Sequence, residues 1–150
     1  MSNAPFNFYD PERPIYTHAR YLPGSIVEDS RLENVLIADG CRIKQSKIKH
    51  SIVGIRSQIA SGCTIRDSIL MGADYYAKEK GKSRAIPIGI GRDSTILGAI
   101  LDKNARIAEG VSIRPFPRGT ELDRGTYFIR DGIVVVPKDT ELASGTKIGP

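Results

Sequence analysis

Few residues of this chain stand where they could do chemistry. The two histidines, His18 and His50, lie 32 residues apart, and a lone imidazole in such a setting reads as a surface or capping group rather than a metal ligand. No Cys/His cluster of metal-ligand spacing occurs, nor a G-x-x-x-x-G-K-[ST] phosphate loop, nor a nucleophile elbow. Pro87-Ile88-Gly89-Ile90-Gly91-Arg92 holds two close glycines, which read better as a backbone corner than as a phosphate cradle. What remains is a set of cations able to hold an anion: Arg20, Lys103 with Asp102 directly before it, and Lys138. One exposed cation contributes little net binding, so a phosphate site needs several donors to converge. Local sequence does not reveal convergence, and each of these side chains by itself reads as a solvated surface charge.

Cys41 and Cys63 are the only cysteines, each two residues before an aliphatic residue, Ile43 and Ile65. Small buried thiols, not a disulfide, are expected, which suits a reducing cytosol. No apolar run approaches membrane-spanning length and no secretory h-region opens the chain. With 22 Lys and Arg against 17 Asp and Glu, the net charge is +5. Such a balance suits anionic partners, but the basic residues are scattered. They form neither a nucleic-acid arm nor a membrane-binding helix, which leaves phosphorylated metabolites.

The elements that must position these residues follow from an unusual period. Ile, Leu or Val recurs at 26, 32, 37, 43, 48, 53, 59, 65 and 70, in steps of five or six. Neither a helix nor an ordinary strand generates that spacing. The steps group into the trios Ile26/Ile43/Ile59, Leu32/Ile48/Ile65 and Ile37/Val53/Leu70, each spaced by 16 or 17 residues. A chain that turns three times per coil and stacks its coils makes each trio one vertical row of interior side chains, the pattern of a hexapeptide-repeat β-helix. Asp39-Gly40 and Ser61-Gly62 fall where tight turns are needed. The rhythm breaks at 71–87, which includes the charged run Lys78-Glu79-Lys80-Gly81-Lys82. It resumes at Ile90, Ile96, Leu101, Ile107 and Ile113, breaks again over 114–126, and closes with Val136, Leu142 and Ile148. Insertions on a solenoid often form its binding face. Met1-Ser2-Asn3-Ala4 reads as a tag remnant, and the proline- and aromatic-rich stretch to residue 23 as an extended connector from a domain upstream. One all-β domain is expected over 24–150.

Several segments, in order, carry a family resemblance: Phe8-Tyr9-Asp10-Pro11, Pro14-Ile15-Tyr16-Thr17, Arg20-Tyr21-Leu22-Pro23, His50-Ser51-Ile52-Val53-Gly54, Met71-Gly72-Ala73-Asp74-Tyr75-Tyr76, Pro87-Ile88-Gly89-Ile90-Gly91, Asp102-Lys103-Asn104-Ala105-Arg106-Ile107 and Asp131-Gly132-Ile133-Val134-Val135-Val136. Together they resemble the C-terminal region of ADP-glucose pyrophosphorylases (glucose-1-phosphate adenylyltransferases) of cyanobacterial and plant type. The resemblance implies a left-handed parallel β-helix, a hand that periodicity cannot reveal. It implies a parent enzyme that joins ATP and glucose 1-phosphate into ADP-glucose and pyrophosphate for glycogen or starch synthesis. The parent's catalytic domain, with its G-x-G-T-R-L loop and Mg²⁺, would lie upstream, so this chain would be non-catalytic and would carry no cofactor or metal of its own.

The same resemblance implies roles for particular residues. Arg20, Asp102, Lys103 and Lys138 fall on family positions that hold anionic effectors such as 3-phosphoglycerate or phosphate. It further implies a cytoplasmic or plastid homo-oligomer, dimer or tetramer, in contact with its own catalytic domain, with no nucleic-acid or membrane partner. The chain departs from the family at Leu22-Pro23-Gly24-Ser25-Ile26, where members read Leu-Pro-Pro-Ser-Lys, and its loop after Tyr76 is shorter. Two alternatives carry different signatures. A hexapeptide acyltransferase would need His50 as a base between coils, and a stand-alone scaffold subunit would bind no effector.

Overall fold

The computed structural model describes residues 5, 7–77 and 86–150. The stretch Met1-Ser2-Asn3-Ala4 and the run Lys78-Glu79-Lys80-Gly81-Lys82 lie outside the described residues. Within them every regular element is a strand.

Aliphatic residues five or six positions apart can share one interior only if the backbone bends between them. Asp29, Asn34, Asp67, Asp93 and Asn104 make such bends with φ between 44° and 61°, a left-handed region that Asn and Asp tolerate better than most side chains. Three faces result. The first stacks Ile26–Glu28, Arg42–Lys44, Gln58–Ile59, Gly89–Ile90, Arg106–Ile107 and Glu141–Leu142. The second stacks the beginnings of Arg31–Ile37 and Lys47–Val53, then Thr64–Arg66, Thr95–Leu97, Ser112–Ile113 and Lys147–Ile148. The third stacks the ends of those two long strands, then Ile69–Leu70, Ala99–Leu101 and Ile133–Val136. All of these pairings are parallel, and the whole is a parallel β-helix of six coils.

The interior rows run one residue per coil. Leu32, Ile48, Ile65, Ile96, Ile113 and Ile148 form one, and Ile37, Val53, Leu70, Leu101 and Val136 another. The remaining row corrects the sequence reading. Val27, not Ile26, lies against Ile43, while Ile26 pairs with Arg42 and turns outward. The coil here is 16 residues long, and a count of 17 selects the wrong neighbour. Because side chains alternate, that slip exchanges inside for outside.

Just before the core aliphatics sit small residues whose polar atoms bridge coils. Ser51 Oγ accepts the Ser68 N–H at 3.2 Å, and Ser68 Oγ accepts the Ala99 N–H at 3.2 Å. Cys41 and Cys63 fill equivalent positions on different faces. Both are buried and free, with Sγ 3.1 Å from the Gly54 carbonyl and 3.2 Å from that of Gly91. Burial pushes both thiols above their ordinary pKa.

The second interruption extends past the expected 114–126. Leu122–Asp123 and Phe128–Arg130 form an antiparallel pair, and Phe128–Arg130 pairs antiparallel with Ile133–Val136. Asp131 and Gly132, at φ 47° and 81°, make the two-residue turn between them. Phe116, Leu122 and Tyr127 pack against the core from this excursion. The two ends of the solenoid therefore differ. Leu142 and Ile148 of the last coil are 4% and 2% exposed, whereas Val27 and Leu32 of the first are 41% and 36% exposed.

Candidate anion site

Lys103 and Lys138 each stand two positions beyond a corner residue, Leu101 and Val136, and those corners are in register. The backbone confirms the stacking at the lysines themselves, where the Asp139 N–H donates to the Lys103 carbonyl at 3.0 Å. Adjacent strands lie about 4.8 Å apart, so two side chains leaving one corner of successive coils can reach a single group. That group is Asp74. Lys103 Nζ lies 3.0 Å from its Oδ1 and Lys138 Nζ 2.6 Å from its Oδ2. Neither lysine is deeply buried, and the cluster opens to solvent.

Asp74 is presented by the segment that follows the third coil. The Ala73 N–H donates to the Ile55 carbonyl at 2.8 Å, and the Asn104 N–H to that of Gly72 at 3.0 Å. Gly72 has φ +85°, and a Cβ there would collide with the Ile55 carbonyl, so the close approach of this segment to the coil requires glycine. Arg56 donates to the Ala73 carbonyl at 3.2 Å and lies over the Tyr76 ring, whose hydroxyl donates to the Gly40 carbonyl at 2.8 Å. Asn104, 2% exposed, closes the frame. Its Oδ1 accepts the Asp74 N–H at 2.8 Å, and its Nδ2 donates to Asp74 Oδ2 at 3.2 Å.

Electrostatics follow the geometry. Lys138, then Lys103 and Asn104, hold the Asp74 carboxyl well below the usual carboxylate range, and Asp74 in turn raises the Lys138 ammonium. Two ammoniums thus meet one carboxylate, with Asp139 and Asp102 acting on Lys138 from beside the cluster.

Of the four residues singled out from sequence, the structure brings Lys103 and Lys138 together. Asp102 serves its own turn, its Oδ1 accepting the Lys103 N–H at 2.6 Å. Arg20 lies in the exposed connector and donates to the His18 carbonyl at 3.3 Å; among the described residues no hydrogen bond or ion pair joins it to the cluster. Sequence reasoning missed Asp74, Asn104 and Arg56. Asn104 alone had a usable signal, an Asn just beyond a corner where a left-handed turn is due.

His50 is no nearer to chemistry. Its Nδ1 meets Asp67 Oδ1 at 2.8 Å on an exposed corner. Among the described residues no three His, Cys, Asp or Glu side chains gather as a metal-ligand group.

A second surface feature runs up the third face. Leu36, Ile52, Ile69, Ile100, Val135 and Phe128 are cross-strand neighbours in that order and all point outward. They form one continuous apolar ladder. Leu36, Ile52 and Ile69 are each at least 40% exposed.

Over residues 20–147 the chain matches the GLGC left-handed parallel beta-helix domain, which gives the hand of the six coils. It is 50% identical over 150 residues to the chloroplastic/amyloplastic glucose-1-phosphate adenylyltransferase small subunit of Triticum aestivum. That alignment covers 95% of this chain and 32% of the wheat protein. The chain thus spans about a third of the length of the curated relative it matches.

Proposed function

The chain belongs to the family of the GLGC left-handed parallel β-helix domain, and from that premise we propose that it is the C-terminal domain of a glucose-1-phosphate adenylyltransferase. In this reading it serves subunit assembly and the binding of an anionic effector, while catalysis and its Mg²⁺ reside in a domain upstream. One observation carries the effector role: two ammoniums, supplied by successive coils, converge on a single carboxylate. A phosphate or carboxylate group of an effector has the size and charge for the same place, and charge-assisted contacts from two lysines are what such a ligand needs. Arg20, on the connector toward the upstream domain, would add a third donor once that domain orders it. An effector held between the domains biases the catalytic domain by its differential affinity for that domain's two states, typically about 1–3 kcal/mol.

The assembly role is supported by the asymmetry of the ends and by the ladder. A solenoid open at both ends would add copies head to tail without limit. Here Leu142 and Ile148 of the last coil are buried and Phe116, Leu122 and Tyr127 of the excursion pack against the core, whereas Val27 and Leu32 of the first coil leave apolar surface open beside an unpaired strand edge. Copies meeting open end to open end would close as a dimer. The apolar ladder suits the flank of the upstream domain.

In the full-length protein, Lys138→Ala should raise the 3-phosphoglycerate concentration for half-activation about tenfold or more, measured as ADP-glucose formation against activator. An unchanged half-activating concentration would remove the effector role.

A further inference from the structure

In the free site the place between the lysines is already taken. We propose that Asp74 is a tethered occupant of the anion position, a built-in competitor that a soluble oxyanion must displace. The inference rests on the effector reading above and adds to it the regulation of the site and the class of ligand that can work it.

The carboxylate spends one oxygen on each ammonium, Oδ1 on Lys103 and Oδ2 on Lys138. No other acid forms an ion pair with either lysine among the described residues. The carboxylate is also pre-set. Buried Asn104 holds both the Asp74 backbone N–H and Oδ2, so little entropy is lost when the lysines close on it. A tethered group of this kind acts at a high effective concentration, and it lowers the apparent affinity of any free anion for the same donors.

Asp74 can leave without unfolding a coil. It lies in the connecting segment rather than on a strand, and its neighbours Tyr75 and Ala77 are exposed. Rotation about its side-chain bonds releases both ammoniums while the backbone anchors at Ala73 and Asn104 stay made.

Charge then selects the ligand. A monocarboxylate arriving at the lysines exchanges one negative charge for another and loses to the tether. A phosphate monoester or inorganic phosphate near neutral pH carries close to two charges and three or more acceptor oxygens, and it neutralises both lysines at once. It also repels the Asp74 carboxylate, so occupancy by the ligand and by Asp74 is mutually exclusive. The site should therefore answer to phosphate-type dianions and stay closed to the simple carboxylates of the cell.

The test is isothermal titration of inorganic phosphate into the full-length protein, comparing wild type with Asp74→Asn, Asp74→Ser, Lys103→Ala and Lys138→Ala. Both Asp74 variants should bind phosphate more tightly, by roughly fivefold, the order expected when two part-exposed ion pairs no longer compete. Acetate should compete with phosphate in the Asp74 variants and not in wild type. Equal or weaker phosphate binding by both Asp74 variants, with the lysine variants weakened, would overturn the inference and make Asp74 an aligning residue at a real anion site. Wild-type binding by both lysine variants would instead remove the anion site itself. Asn at 74 can keep the pairing with Asn104, and a single cooperative thermal unfolding transition verifies that each variant is folded.

Discussion

A stacked row makes a quantitative demand that a compact core does not: the same side chain should be worth different amounts at different heights. Ile96 lies fully buried between Ile65 and Ile113, whereas Leu32 begins the same row and remains 36% exposed. Ile96→Ala removes three carbons, a transfer loss of about 2.4 kcal/mol at ~0.8 kcal/mol per buried carbon. Stiff coils above and below limit collapse, so a cavity contribution at ~24 cal/mol per Å³ brings the total to roughly 3–4 kcal/mol. Leu32→Ala also removes three carbons. Only about two-thirds of that loss applies there, and the open end leaves no closed cavity, so roughly 1.5 kcal/mol is expected. Urea unfolding followed by far-ultraviolet circular dichroism would measure both. With m-values of about 1–3 kcal/mol/M, the difference separates the midpoints by roughly 1 M. Equal losses would refute the reasoning, because they would mean that the first coil is covered as fully as the middle one.

Two further predictions concern polar groups. Ser68→Ala leaves the buried Ala99 N–H without the hydroxyl that accepts it and should destabilise by about 1–3 kcal/mol, read from the same urea curves. A loss near zero would mean that another acceptor replaces Ser68. Asp74 has its pKa depressed from 3.8 by Lys138 and Lys103, so its stabilisation is fully present above about pH 4 and is lost as pH falls through the lower folded value. Asp74→Asn should flatten the decline of the urea midpoint between about pH 4 and pH 2, and parallel curves for the two proteins would count against the ion pairs.

The corner aliphatics made the architecture legible because solenoid burial is periodic and local: each row needs only a residue of the right type every coil. The same periodicity misled at Ile26, since two adjacent aliphatics, Ile26 and Val27, both fit a spacing of 16 or 17 and only the register tells them apart. The antiparallel excursion was present in the sequence as Phe128-Ile129-Arg130-Asp131-Gly132-Ile133-Val134-Val135, alternating strands around an Asp-Gly turn. A search for coils passes over it because its period is two. In the site, Lys103 and Lys138 could be paired by counting from Leu101 and Val136. Asp74 could not. It follows Leu70 within an insertion that belongs to no coil, and its place depends on contacts to Ile55 and Asn104 that no spacing encodes.

The lysine pair also depends on residues well away from it. In four coils the step from a second-face corner to the next third-face corner is five residues: Leu32 to Ile37, Ile48 to Val53, Ile65 to Leu70 and Ile96 to Leu101. From Ile113 to Val136 it is 23, so the excursion adds 18 residues at one corner and returns the chain to the same row. That return is pinned by the antiparallel pairing of Phe128–Arg130 with Ile133–Val136 across the Asp131-Gly132 turn. A slip of one residue there would send Val136 outward and turn the following segment by the same amount. Lys138 would then leave Lys103 with nothing changed in either side chain. The two ammoniums share the Asp74 carboxylate because the coil rise sets their separation and a type I′ turn seven residues upstream of Lys138 sets their register.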